Sequence, residues 1–339
     1  MSKQILIVGP AWVGDMVMAQ TLFTLLKERE DCQIDVIAPS WSKPLLQRMP
    51  ELRQSFTLSI DHKELKLSER YKVGKSLKAQ HYDQAILLPN SIKSALIPFW
   101  AKIPLRTGWL GEYRYGLLND IRRLDKTLYP LMIQRFMALA VPKQQKLENY
   151  QHIKPKLLVN SAEVNKTITK FNLDPTAKKI LALCPGAEFG PAKRWPDAHY
   201  AALANKKLAE GWQVWLFGSP KDQAVSNLIN QATNFQCVDL TGKTNLAEAI
   251  DLLALANMVV SNDSGLMHIA AALDRKLVVM YGSSSPKFTP PLNAQKKILQ
   301  LGLPCSPCFK RECKFGHLNC LTQLEPKTVL AAMNELITS

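Results

Sequence analysis

The sequence predicts an α/β protein made of two doubly wound parallel sheets. Three observations carry this expectation. Apolar runs of strand length alternate with segments of helical periodicity. The alternation occurs twice, on either side of a polar stretch spanning residues 141–179. Several of the runs also end in turns that contain Gly or Pro, the way strands in such sheets pass into helices.

In the first half the strand-like runs are 4–9 (QILIVG), 34–39 (IDVIAP) and 84–89 (QAILLP), with helical patterns over 15–28 and 93–101. In the second half they are 180–184, 213–217, 258–261 and 277–281. Helices are expected near 197–210, 221–231, 246–254 and 266–273. The intervening stretch holds Pro142, Pro155 and Pro175, although parts of it have helical character. A length of 339 residues suits two domains. We place them at 1–165 and 166–339 and expect them to face a cleft.

Net charge is +15, so acidic partners are favoured: nucleic acid, an anionic membrane surface or a phosphorylated substrate. Residues 1–150 hold 22 basic and 14 acidic side chains (net +8), leaving 21 and 14 (net +7) for the rest. There is no basic tail. Two denser patches stand out: residues 63–78 carry six cations against two Glu, and residues 93–135 carry eight against three acids. A solvated basic face is the plain reading of each. No signal peptide is visible, and no run approaches the roughly 20 apolar residues of a membrane span. We therefore expect a cytoplasmic protein whose basic surface visits the inner leaflet.

The most informative segment is 261–273, SNDSGLMHIAAAL. A strand–turn–helix of this kind offers backbone N–H groups and a positive dipole end to an anion. Asp263 or Ser264 would serve as a helix cap in the plain reading. A ligand site is favoured because the turn lies where open α/β sheets bind ligands. Gly265 and His268 complete the set, His268 about one turn into the helix.

Earlier in the chain, Gly9-Pro10 is followed by Trp12-Val13-Gly14-Asp15. This is not the dinucleotide fingerprint, because the spacing is wrong and Pro10 lacks an N–H. Asp15 by itself reads as a helix N-cap; its place at the carboxyl edge of the first strand also suits a general base. Gly186 leaves another strand in a turn, and the adjacent cations Lys193 and Arg194 suit a phosphate or pyrophosphate. Cys305, Cys308, Cys313 and Cys320, with His317 among them, are compatible with zinc or with packed or redox-labile thiols.

On WVGD (12–15), LPNSIKSALIPF (88–99), TGWLGEYRYGLLND (107–120), PGAEFGPAKRWP (185–196), SNDSGLMHIAAAL and the late cysteines, the chain resembles the bacterial lipopolysaccharide heptosyltransferases of glycosyltransferase family 9. The likeness covers nearly all of the chain. It implies a GT-B fold of two Rossmann-like domains, the first binding the acceptor and the second ADP-heptose. It implies that Asp15 is the catalytic base and that Lys193 lies near the donor's phosphates. Asp263, Ser264, Gly265 and His268 would belong to the donor motif, with Gly14, Gly186 and Arg194 also at the donor. Ser264 stands where related enzymes have Thr and keeps the hydroxyl.

The reaction implied is inverting transfer of heptose onto the first heptose of heptosyl-Kdo2-lipid A, an inner-core lipopolysaccharide. Lys93, Arg106, Arg114, Arg122 and Arg123 would meet the acceptor's acids, with Trp109 and Tyr113 stacking on its sugars. No cofactor and no metal are expected. A transferase for the first heptose or a later one is the alternative. More distant are a basic nucleic-acid-binding protein, disfavoured by the spread of charge, and a zinc-dependent interaction protein.

Overall fold

The computed structural model describes residues 2–58 and 64–338. Lys63, the first cation of the basic segment, lies outside them. The chain divides into two compact units, Met1–Pro155 and Lys156–Ser339.

The first unit runs β1 (Lys3–Val8), α1 (Val13–Arg29), β2 (Cys32–Pro39), α2 (Lys43–Leu46), β3 (Leu52–Leu58), α3 (Leu67–Leu77), β4 (Gln84–Leu87), α4 (Ile92–Trp100), β5 (Leu105–Trp109), β6 (Asp120–Arg122) and α5 (Met132–Met137). Its sheet is parallel, in the order β3-β2-β1-β4-β5-β6. The central strands β1, β2 and β4 are apolar and almost wholly buried, which is why they were legible as continuous runs. α1 packs on β2 and α5 and is buried on most of its sides.

The edge strands are different. β3 (LRQSFTL) is half exposed and polar. It is tied to the sheet by Asp35 of β2, a fully buried carboxylate that accepts from Arg53 Nε (2.9 Å) and Nη2 (2.5 Å), Gln54 Nε2 (2.9 Å) and Tyr82 Oη (2.5 Å). Burial alone would raise the Asp35 pKa, but these donors, Arg53 foremost, hold it below the usual carboxylate range.

The second unit runs α6 (Ser161–Lys170), β7 (Ile180–Cys184), α7 (Asp197–Ala209), β8 (Gln213–Leu216), α8 (Gln223–Ala232), β9 (Val238–Asp239), α9 (Leu246–Leu253), β10 (Met258–Asn262), α10 (Gly265–Ala272), β11 (Leu277–Met280), β12 (Lys296–Leu299), α11 (Asn319–Thr322) and α12 (Pro326–Thr338). Its parallel sheet has the order β12-β11-β10-β7-β8-β9. α6, which the sequence reading splits at residue 165, packs against α9 within this unit. The core gathers Leu181, Leu183, Val214, Leu216, Val260 and Val278 from the sheet with Trp195, Tyr200 and Met333 from the helical side.

Each sheet reverses its strand order once, between β1 and β4 in the first unit and between β7 and β10 in the second. Loops leaving the carboxyl ends of such a pair diverge and open a crevice, the usual ligand position in this architecture. No described helix is long and apolar enough to cross a membrane.

Candidate functional site

In the first unit the reversal lies between the loops after β1 and β4. Gly9 follows β1 in a tight spot, where a Cβ would come within 2.7 Å of the Met16 methyl and 3.2 Å of Ala38 Cβ. The chain then turns through Pro10 and Ala11 into α1. The helix N-cap is Trp12, in extended conformation and without a side-chain cap bond. Asp15 is therefore the third helical residue, not the N-cap, and its partly exposed carboxylate sits at the positive end of the helix dipole. Gly14 precedes it in the same turn.

Asp15 and Trp12 line a cavity of about 330 Å³ together with Pro89 and Asn90 after β4, Lys93 and Ile97 of α4, Arg70 of α3 and Arg135 of α5. Arg70 is buried. Its Nε donates to Leu65 O (2.6 Å) and its Nη1 to Lys93 O (3.4 Å), fixing α3 against α4.

Of the seven acceptor residues expected from sequence, Lys93 is at this cavity and Trp109 forms part of its wall. Trp109 is only 6% exposed, its Nε1 donating to Arg135 O (2.9 Å), which leaves little of the ring for stacking on sugars. Arg106 and Arg114 are committed elsewhere. Arg106 donates to Leu117 O and Ile103 O, both at 2.6 Å. Arg114 is fully buried and donates to Pro89 O (2.8 Å), Ser94 Oγ (3.2 Å) and Trp109 O (2.6 Å). Burial pulls its pKa down to about 10. It pins the 110–116 loop over α4, where Glu112 accepts from Ile92 N (2.7 Å). The expectation that Arg114 meets an acceptor is thus replaced by a structural role, because a guanidinium shared among buried carbonyls is not available to a ligand.

Arg122 behaves similarly, pairing with Asp120 at 2.7 Å and donating to Ala138 O and Val141 O. Arg123 is exposed on a second cavity of about 420 Å³, lined also by Tyr129, Lys143 and Lys146. Tyr113 is 86% exposed. Arg70 and Arg135, which do line the Asp15 cavity, were missed because nothing in the local sequence distinguishes them from the other cations of this half.

In the second unit the crevice lies between β7 and β10. Lys193 Nζ donates to Asp263 Oδ2 at 2.5 Å, both groups largely buried. Phe189 lies under this cation, 5.0 Å from its ring centroid, and under Arg311 at 5.3 Å. Ser264 caps α10, its Oγ accepting from Met267 N (3.4 Å), so the capping alternative falls to Ser264 and not to Asp263. Gly265 opens the helix. His268, one turn on, is almost fully buried. Desolvation lowers its pKa to about 4, with the Asp263 carboxylate opposing and Lys193 reinforcing that fall, so it is neutral at pH 7.

Arg194 Nη2 donates to Asp222 Oδ1 (3.4 Å), while its buried Nε has no partner. Asp222 also accepts from Ser219 N (2.9 Å) and Ser219 Oγ (2.7 Å). Gly186 is required by this carboxylate: a Cβ there would lie 2.4 Å from Asp222 Cγ. From sequence, Lys221-Asp222 stands out only as part of the loop after Phe217-Gly218-Ser219 and Asp222 has no assigned role, although Ser219-Pro220-Lys221-Asp222 has the spacing of a capping box.

The sequence reading missed the role of Asn262. This residue is fully buried, and its Oδ1 accepts from Trp195 N (2.9 Å) and Tyr200 Oη (3.1 Å). Its Nδ2 donates to Pro185 O (2.7 Å) and Gly186 O (3.4 Å). One side chain thus ties the Gly186 turn and the Lys193–Trp195 segment to the end of β10.

The late cysteines are free thiols, Cys308 exposed and Cys305, Cys313 and Cys320 partly so. Backbone N–H groups, that of Leu318 first, lower the Cys313 pKa. Burial raises that of Cys320, with a further rise from Cys305, Cys308 and Cys313. His317 Nδ1 accepts from Asn319 N (3.0 Å). Among the described residues no group of three or more His, Cys, Asp or Glu is placed to hold a metal ion.

A model of the family described as "Glycosyltransferase family 9 (heptosyltransferase)" matches residues 70–319. The chain is 46% identical to lipopolysaccharide heptosyltransferase 2 of Escherichia coli (strain K12), over 98% of each chain. It is 48% identical to lipooligosaccharide heptosyltransferase 2 of Haemophilus influenzae, over 98% of this chain and 99% of the relative. The solved structure of E. coli ADP-heptose LPS heptosyltransferase II superposes with a TM-score of 0.88 at 44% identity, covering 99% of this chain and 98% of that one. The two doubly wound sheets are those of the GT-B fold expected from the sequence.

Two measurements test this site. Asn262→Ala leaves the Trp195 N–H without its acceptor and should lower the unfolding free energy by about 2–4 kcal/mol in denaturant melts. The folded state refuses a proton at His268 that the unfolded chain accepts near pH 6.5. Stability should therefore fall as pH drops from about 6.5 toward 4, by roughly 3 kcal/mol once both states are protonated. His268→Gln should flatten that part of the curve.

Proposed function

The chain belongs to glycosyltransferase family 9, the heptosyltransferases, and we propose that this glycosyltransferase moves L-glycero-D-manno-heptose from ADP-heptose to the first heptose of the lipopolysaccharide inner core. The observation that carries the acceptor choice is the whole-length likeness to heptosyltransferase 2 from two organisms. Heptosyl-Kdo2-lipid A is the acceptor in this reading, and the reaction takes place in the cytoplasm at the inner membrane. The first unit holds the acceptor and the second the donor.

Asp15 acts as the general base. It takes the proton from the acceptor hydroxyl while that oxygen attacks the anomeric carbon of the donor. The bond from that carbon to the diphosphate oxygen breaks, ADP leaves with the electron pair, and the configuration inverts. Asp15 lines the cavity from the first turn of α1, where a general base meets an acceptor hydroxyl. Lys93 gives this cavity a cation suited to the acceptor's carboxylates and phosphates, while Arg70 and Arg135, held by backbone carbonyls, add only to its positive field.

At the donor, Lys193 and Arg194 offset the charge that develops on the departing diphosphate, and the N–H groups of Gly265 and Leu266 at the start of α10 add to this. Asp263 holds the Lys193 ammonium in place and is positioned to take sugar hydroxyls. His268, being neutral, contributes a hydrogen bond and not a charge. Gly186 keeps the turn beside Asp222 free of a side chain.

The acceptor is tested by transfer from ADP-heptose onto Kdo2-lipid A with and without one heptose. Product on the heptosylated acceptor alone is expected; product on the bare acceptor alone would make this a first-heptose transferase. Asp15→Asn should lower kcat by about 10²–10⁴-fold, the range for loss of a general base, with ADP-heptose binding retained. Near-normal turnover would remove Asp15 from the mechanism.

A further inference from the structure

The outer faces of α3 and α4 form a surface that the chemistry above does not use. Leu67, Tyr71 and Lys75 recur at i, i+4 and i+8 on one exposed face of α3, and exposed Lys78 follows directly after the helix. Leu67 is 49% exposed, Tyr71 43% and Phe99 of α4 42%. These side chains are held in place. The Tyr71 ring meets Trp100 edge-on at 5.5 Å and carries Lys75 Nζ 5.4 Å from its centroid, while the Arg106 guanidinium lies 5.7 Å from that of Phe99.

The two helices approach closely because residue 74 is glycine: a Cβ there would be 2.8 Å from Trp100 Cβ and 2.9 Å from Ile97 O. Exposed Lys66, Lys72, Lys75, Lys78 and Lys102 surround the apolar groups, against Glu64 and Glu69, the former already paired with Lys66 at 2.9 Å.

Apolar and aromatic groups left in water beside exposed cations in excess of the nearby carboxylates mark an interaction surface. Rings with polar rims favour a membrane–water boundary, and lysines around them meet anionic headgroups. The inner sides of the same two helices supply Arg70, Lys93 and Ile97 to the Asp15 cavity. We propose that the α3–α4 face docks on an anionic lipid bilayer, so that the Asp15 cavity receives its acceptor at the headgroup layer. The inference rests on the acceptor reading above, in which the acceptor is anchored in a bilayer.

The test is sedimentation of the full chain with vesicles of phosphatidylcholine alone and of phosphatidylcholine with roughly one-third phosphatidylglycerol. Binding to the second only, weakened by salt, is expected. Lys72→Glu with Lys75→Glu, and separately Tyr71→Ser with Phe99→Ser, should each lower the bound fraction about fivefold or more. Both lysines are exposed, and the Lys75 contact with the Tyr71 ring is a weak one at such a site, so the melting temperature should fall by a few degrees at most. Transfer to a deacylated, water-soluble acceptor should stay unchanged in both variants.

Wild-type protein that ignores anionic vesicles, binds neutral ones equally, or binds as well after these substitutions overturns the proposal. Vesicle binding needs no donor and no turnover. A chain that binds vesicles through this face yet transfers no heptose would overturn the proposed reaction and leave the docking face standing; the converse result would do the reverse.

Discussion

Asn262, a fully buried amide, uses both oxygen lone pairs and both N–H groups to hold three segments of the second unit together. It stands at the last position of β10, beside the point where the strand order reverses. Loops at such a point diverge, and a diverging loop has no neighbouring strand to satisfy its backbone. Here the amide stands in for that neighbour, taking the Trp195 N–H and giving to the carbonyls of Pro185 and Gly186. Trp195 is then free to pack its ring in the core, with Nε1 donating to Leu324 O at 2.7 Å. The adjacent Lys193 and Arg194 are left at the crevice. An apolar residue of the same size would fill the space but leave buried donors and acceptors unpaired, which costs far more than the bonds contribute net.

Electrostatics in the two units work at different scales. In the second, a few charges are arranged at close range: Lys193 against Asp263, Arg194 against Asp222, and His268 kept neutral by burial. In the first, a long run of cations suggests a basic surface, yet many of its arginines act inward. Arg70, Arg106, Arg114, Arg122 and Arg135 all donate to backbone carbonyls, stitching loops that have few hydrogen bonds of their own. A guanidinium suits this work because its fork of donors can satisfy several carbonyls at once. The lysines remain outside, where they face solvent and give the surface its field.

The alternation of buried apolar strands with helices was readable, because β1, β2, β4, β7, β10 and β11 are covered on both faces and so need apolar side chains throughout. The edge strands β3, β6, β9 and β12, and β5 next to the edge, were not, since each is short, polar or half exposed and owes its place to a partner distant in sequence, as β3 does to Asp35. The turn motifs at Asp15, Lys193 and 261–268 were readable too, because a crevice at a strand carboxyl end needs local residue types that stand out against a helix or strand pattern. What each charged residue does was decided by tertiary structure alone. Asp15 is third in its helix because Trp12 takes the cap position. Arg114 is a buried strut and Lys93 a cavity residue, although the sequence offers them as equals. A sequence states which charges a chain carries, but burial and the carbonyls within reach determine which of them a ligand can meet.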